Sequence, residues 1–120
     1  MDFDQAIAAH SAWKSKLKAY LNKPDGSLKA ADIQSDQECL LGQWIHGEAK
    51  QWIGNAAYTE LKMQHAAFHA AAAELVRKAD AGQSVNEELA LGAGSDFDKT
   101  TSAVVSAIVR MREEARKAVS

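Results

Sequence analysis

The stretch YTELKMQHAAFHAAAAELVRKAD, residues 58–80, decides the fold. It contains neither proline nor glycine, and its Ala, Leu, Glu and Lys are strong helix formers. Tyr58, Leu61, His65, Phe68, His69, Ala72, Leu75 and Val76 recur at the helical period and form one apolar stripe. The spacing predicts a long helix that follows Gly54-Asn55, ends near Asp80-Ala81-Gly82 and buries both histidines at the centre of its inner face. Side chains four apart on a helix lie one above the other, so the His65 and His69 imidazoles can converge on a single ion.

Elements on either side read in the same way. Asp2 and Gln5 form a capping pair that opens a helix running to about Asn22, with Phe3, Ala6, Ile7, His10, Trp13, Leu17, Tyr20 and Leu21 on one stripe. His10 therefore faces the core. Lys23-Pro24-Asp25-Gly26 is a turn, followed by a polar connector holding Leu28 and Ile33. Ser35 and Glu38 read as a capping box for a short helix through Cys39, Leu40, Leu41, Trp44 and Ile45, ended by Gly47. A further short piece spans about Ala49 to Ile53. Ser84 and Glu87 form another capping box, and a last helix reaches nearly to the C-terminus, with Gly92 and Gly94 as points of interruption. Phe97, Thr101, Val104, Ile108, Met111 and Ala115 give that helix the spacing of bundle packing. The expected fold is all-α: one domain over residues 1–120, an antiparallel four-helix-like bundle with a short helical insert carrying the cysteine.

Composition narrows the function. A chain of 120 residues with net charge −2 has no basic field for nucleic acid, and its lysines and arginines are scattered among acids as on solvated helix faces. The start is acidic, and no apolar run approaches the roughly 18 residues a membrane span needs. A cytoplasmic protein without a membrane partner is expected. The single cysteine, Cys39, rules out an internal disulfide and is a thiol, a metal ligand or an intermolecular linker.

A histidine on an apolar face is commonly a satisfied core residue. Here three of the four histidines and the only cysteine all map to buried stripes or to a capped turn. Each would cost about 1–3 kcal/mol if buried without a partner. One zinc ion per chain satisfies His10, Cys39, His65 and His69 together, because zinc accepts mixed Cys/His shells. Carboxylate sites for iron or manganese would need Glu-x-x-His, which does not occur. The remaining histidine, His46, reads as a solvent-facing residue at a helix C-terminus. Trp13, Trp44 and Phe68 read as walls that exclude water. Asp32 and Asp36 stand near Cys39 in sequence, as partners of the sulfur or as simple caps. Cys39, one turn into its helix, lies where the positive dipole favours thiolate, and Gly42 leaves room beside the sulfur.

Three motifs, His10-Ser11-Ala12-Trp13, Cys39-Leu40-Leu41-Gly42-Gln43-Trp44 and His65-Ala66-Ala67-Phe68-His69, carry a resemblance in order and spacing to the chemoreceptor zinc-binding domain, the CZB family of bacteria. The resemblance implies a helical bundle holding one zinc through His10, Cys39, His65 and His69. It also implies a regulatory role, since such domains accompany chemoreceptors and diguanylate cyclases and respond to zinc or to oxidants such as hypochlorous acid. The chain has no room for a receptor signalling helix or a cyclase domain, so it is expected to be a stand-alone member or an excised piece. A non-enzymatic sensory module acting on chemotaxis or cyclic-di-GMP signalling is the leading expectation, against a structural zinc-stabilised scaffold. Four protein ligands leave no open position for catalysis, and His-Glu-x-x-His is absent. Val105 and Val109 widen the apolar face of the last helix, which points to a homodimer or a docked signalling partner.

Overall fold

The computed structural model describes residues 2–35, 39–82 and 90–119, and all its regular elements are helical. The helices are α1 (Phe3–Ser11), α2 (Trp13–Asn22), α3 (Ala30–Gln34), α4 (Leu40–His46), α5 (Ala56–Asp80) and α6 (Asp96–Val119), with a 3-10 turn at Glu48–Trp52 between α4 and α5. The molecule measures 50 × 25 × 21 Å.

The first expected helix is two. Asp2 caps α1 by accepting from the Gln5 N–H at 3.0 Å, and the chain then passes through Ala12 into α2 with Ala12 itself at φ −70°, ψ −16°. The break is slight, so the stripe persists: Ala6, His10, Leu17 and Tyr20 are buried, and Phe3, Ile7, Trp13 and Leu21 are partly so. At the following turn Asp25 accepts from the Ser27 N–H, and Gly26 takes φ +78°, where a side chain would be strained.

The connector is not featureless. It contains α3, whose Ile33 is buried in the core, and Ser35 ends α3 rather than capping the next helix. Cys39 caps α4 instead, with its own Sγ accepting from the Gly42 N–H at 3.3 Å. The cysteine therefore sits at the mouth of the helix, not one turn into it. A sulfur can replace the expected serine oxygen because any short side-chain acceptor at that position meets the orphan N–H groups of the first turn. Glu38 and Asp36, like the Ser84/Glu87 pair, lie outside the described residues.

Asn55 caps α5 by accepting from the N–H groups of Ala57 and Tyr58, and every residue of the expected stripe is buried. The final helix is interrupted between Leu91 and Asp96. Gly94 adopts φ +84°, Ser95 accepts from the Asp98 N–H, and Asp98 returns a bond to the Gly94 N–H, so α6 has its own cap. Phe97, Val104, Ile108 and Met111 are buried, with Thr101 and Ala115 at the margin. Val105 and Val109 are both partly buried, Val105 against the core, so part of the extra apolar width of this helix is spent within the chain.

Side-chain pairs reveal the direction of each leg. His10 meets His65 and Tyr20 donates to Asp80, so α1–α2 runs alongside α5 in the same sense. Between them the insert returns: Gln34 lies against Arg77, Cys39 against His65, and Ile45 against Tyr58. At the fourth leg Arg112 pairs with Asp4, while Phe97 stacks near Phe68, which also touches His10. The bundle is thus up, down, up, down. Its second leg is the broken insert of α3, α4 and the 3-10 turn.

Candidate metal centre

Each of the first three legs contributes to one cluster. His10 comes from the last turn of α1, Cys39 from the cap of α4, and His65 and His69 from successive turns near the middle of α5. Their ligand atoms all lie within 4.8 Å of one another. His65 Nε2 is the hub, 3.1 Å from His10 Nε2, 3.0 Å from His69 Nε2 and 3.2 Å from Cys39 Sγ. Cys39 Sγ lies 3.7 Å from His69 Nε2. Zinc bonds of about 2.0–2.1 Å to nitrogen and about 2.3 Å to sulfur put the corners of a tetrahedral shell about 3.3–3.6 Å apart. The cluster is already close to that size.

Backbone carbonyls orient two of the rings. His10 Nδ1–H donates to the Ala6 carbonyl at 2.7 Å, one turn back in its own helix, and His69 Nδ1–H donates to the Ile33 carbonyl at 2.8 Å across the bundle. With protons at Nδ1, both rings turn a bare Nε2 lone pair into the cluster, the form a cation requires. Two bare nitrogens and a sulfur around a third histidine repel unless a proton or a metal lies between them. This is the observation by which the donor set fits a cation.

Burial disfavours the charged forms of His10 and His65. His10, His65 and His69 are 3%, 0% and 4% exposed. Burial pushes His65 down to about 3, with His69, His10 and His46 adding repulsion, and burial likewise lowers His10 despite its bond to Ala6 and with a further push from His69. Phe68, fully buried, sets its ring 5.2 Å from His10 and 5.6 Å from His69, as expected of a wall. Trp44 packs edge-on to Phe3 at 5.3 Å, and Trp13 carries Lys16 Nζ 4.8 Å above its ring. Cys39, by contrast, is partly exposed.

The structure thus gathers all four residues expected from the sequence. His46 is half-buried at the end of α4 rather than solvent-facing, and Asp32 is exposed on the first turn of α3. The contributions of Ala6 and Ile33 were not anticipated. Both act through carbonyls, which every residue type possesses; the one cue was an apolar Ile33 in an otherwise polar connector.

Comparison with known proteins adds one match. The family model of the chemoreceptor zinc-binding domain matches residues 10–76, a span that begins at His10 and includes Cys39, His65 and His69. No curated protein and no solved structure matches the chain. The cluster is compatible with one zinc ion.

Proposed function

Because the chain belongs to the chemoreceptor zinc-binding domain family, we propose that residues 1–120 form one sensory or regulatory domain. In this reading His10, Cys39, His65 and His69 ligate one zinc per chain, and the domain reports zinc level or an oxidant such as hypochlorous acid to chemotaxis or cyclic-di-GMP signalling. Domains of this family occur in chemoreceptors and other signalling proteins. A cytoplasmic location belongs to the same reading, and no helix among the described residues is long and apolar enough to cross a membrane. So does association with a signalling partner or a second copy.

A bound zinc would supply a Lewis-acidic centre that holds Cys39 as thiolate. Four protein donors complete a tetrahedral shell and leave no position for substrate water, which supports a binding role over catalysis. The observation that carries the sensing reading is the contrast in exposure. The histidines are sealed, while Cys39 is a partly exposed residue. Hypochlorous acid reaching Cys39 would form an S–O bond with loss of chloride, giving a sulfenic acid that donates poorly. The histidines alone would then hold the ion less firmly, and the insert would lose one of its ties to α5.

Elemental analysis of the purified chain and of His69→Ala tests the ligand set: one zinc per wild-type chain and loss in the variant are expected. Substoichiometric hypochlorous acid or peroxide, followed with a chromogenic chelator, tests sensing. Release no faster than from untreated protein would defeat the redox version and leave zinc-level sensing or a structural role for the ion.

A further inference from the structure

His65 differs from the other two histidines of the cluster in what its second ring nitrogen meets. His10 Nδ1 and His69 Nδ1 each have a backbone carbonyl within 2.8 Å. His65 Nδ1 is buried and has no hydrogen-bond partner among the described residues, although the side chain is 0% exposed. A ligating histidine ordinarily donates its outer N–H to an acceptor that fixes the ring and its tautomer.

The inner side of the same ring has the opposite surroundings. Because the protons of His10 and His69 sit at Nδ1, two bare Nε2 lone pairs flank His65 Nε2 at 3.1 and 3.0 Å. A proton on His65 Nε2 therefore meets two nitrogen lone pairs as well as the Cys39 sulfur at 3.2 Å, while one on Nδ1 finds no acceptor among the described residues. In the metal-free chain the ring favours the Nε2–H tautomer. Ligation through Nε2 demands the other one.

We infer that His65 is the ligand that must rearrange when the ion enters: its ring loses the proton at Nε2 to solvent and gains one at Nδ1, staying neutral throughout, while His10 and His69 are already in their ligating tautomers. The consequence is a site tuned for exchange. An outer-shell hydrogen bond of this kind is worth about 10–100-fold in metal affinity, so leaving one of three rings unsupported weakens retention by a factor of that order. This deepens the zinc reading above and rests on it.

Long-range nitrogen–proton spectra of the imidazole rings, recorded on the full chain before and after loading with one equivalent of zinc, test the inference. Expected are Nδ1–H signals for His10 and His69 in both states and a switch of His65 from Nε2–H to Nδ1–H on loading. Should the metal-free chain lack a native spectrum, the loaded chain decides alone: the His65 Nδ1 proton should resonate well upfield of its two hydrogen-bonded counterparts. Nδ1–H at His65 in both states, or three equally downfield protons in the loaded chain, overturns the inference while leaving zinc binding intact. A chain that takes up no zinc overturns the reading beneath it.

Discussion

Two of the neighbours of helix α5 hold to it by different means. On one side α6 offers Phe97, Val104, Ala107, Ile108 and Met111, all buried, along 24 residues of continuous helix. The insert offers helices of five and seven residues, which would be marginal on their own, with Ile33, Leu41, Ile45 and Ala49 as its buried apolar groups. What docks the insert is in large part polar: Cys39 in the cluster, the Ile33 carbonyl on His69, Gln34 on Arg77, and the Ile45 carbonyl on Tyr58. Hydrophobic burial is indifferent to metal and redox state. A leg tied through a ligand is not, so under the proposed reading the insert is the part that would respond.

The strongest way to break the comparison is to attack the apolar side. Phe68 is fully buried and lies 5.4 Å from Phe97, so Phe68→Ala should cost about 3–5 kcal/mol. Urea unfolding with and without zinc should show most of that loss in both conditions. A loss confined to the zinc-loaded protein would make Phe68 a part of the metal site rather than of the seam.

Zinc itself should come next in size. An ion that binds only the folded chain adds about 4 kcal/mol when free zinc is a thousand times its dissociation constant. Chelation should remove that increment unevenly: hydrogen exchange should accelerate through α3, α4 and the 3-10 turn while Val104 to Met111 stay protected. Uniform acceleration across both sides would erase the distinction between the two seams.

Acid sharpens the comparison on the polar side. In the zinc-free chain burial holds His65 at about 3 and lowers His10, whereas in the unfolded chain both rings titrate near 6.5. Below pH 6.5 the unfolded state therefore binds more protons than the folded one. Stability that is complete above this pH declines as pH falls toward 3, by up to about 1.4 kcal/mol per pH unit for His65, and His10 adds to the decline in the same direction. Urea midpoints of the zinc-free protein at pH 7 and pH 5 measure this, and equal midpoints would refute it.

The smallest effect is expected at Tyr58→Phe, which removes the 3.0 Å bond from the Tyr58 hydroxyl to the Ile45 carbonyl while preserving the ring. About 1 kcal/mol should be lost. Faster exchange in α4 with α6 unchanged would confirm that the bond serves the insert alone.

Much of this was legible in residue order. Apolar spacing on α5 and α6 is a local, repeating signal, and the Asp2 cap satisfies an N–H group three residues on, so these readings survive folding. His10, Cys39, His65 and His69 were also legible, since burying four such groups without a common partner is costly. Less visible was the division at Ala12, which no proline or glycine marks, and α3, too short for periodicity to register.

The sequence by itself determined which faces are buried and which four side chains must meet, because both follow from side-chain chemistry at fixed helical spacing. Tertiary structure alone decided that the insert serves as the second leg, that Cys39 is a partly exposed cap, and that Ala6 and Ile33 orient two rings while His65 Nδ1 has no such partner among the described residues. These depend on where backbone carbonyls and N–H groups come to rest. Every residue carries such groups alike, so only the packed chain reveals which of them face the cluster.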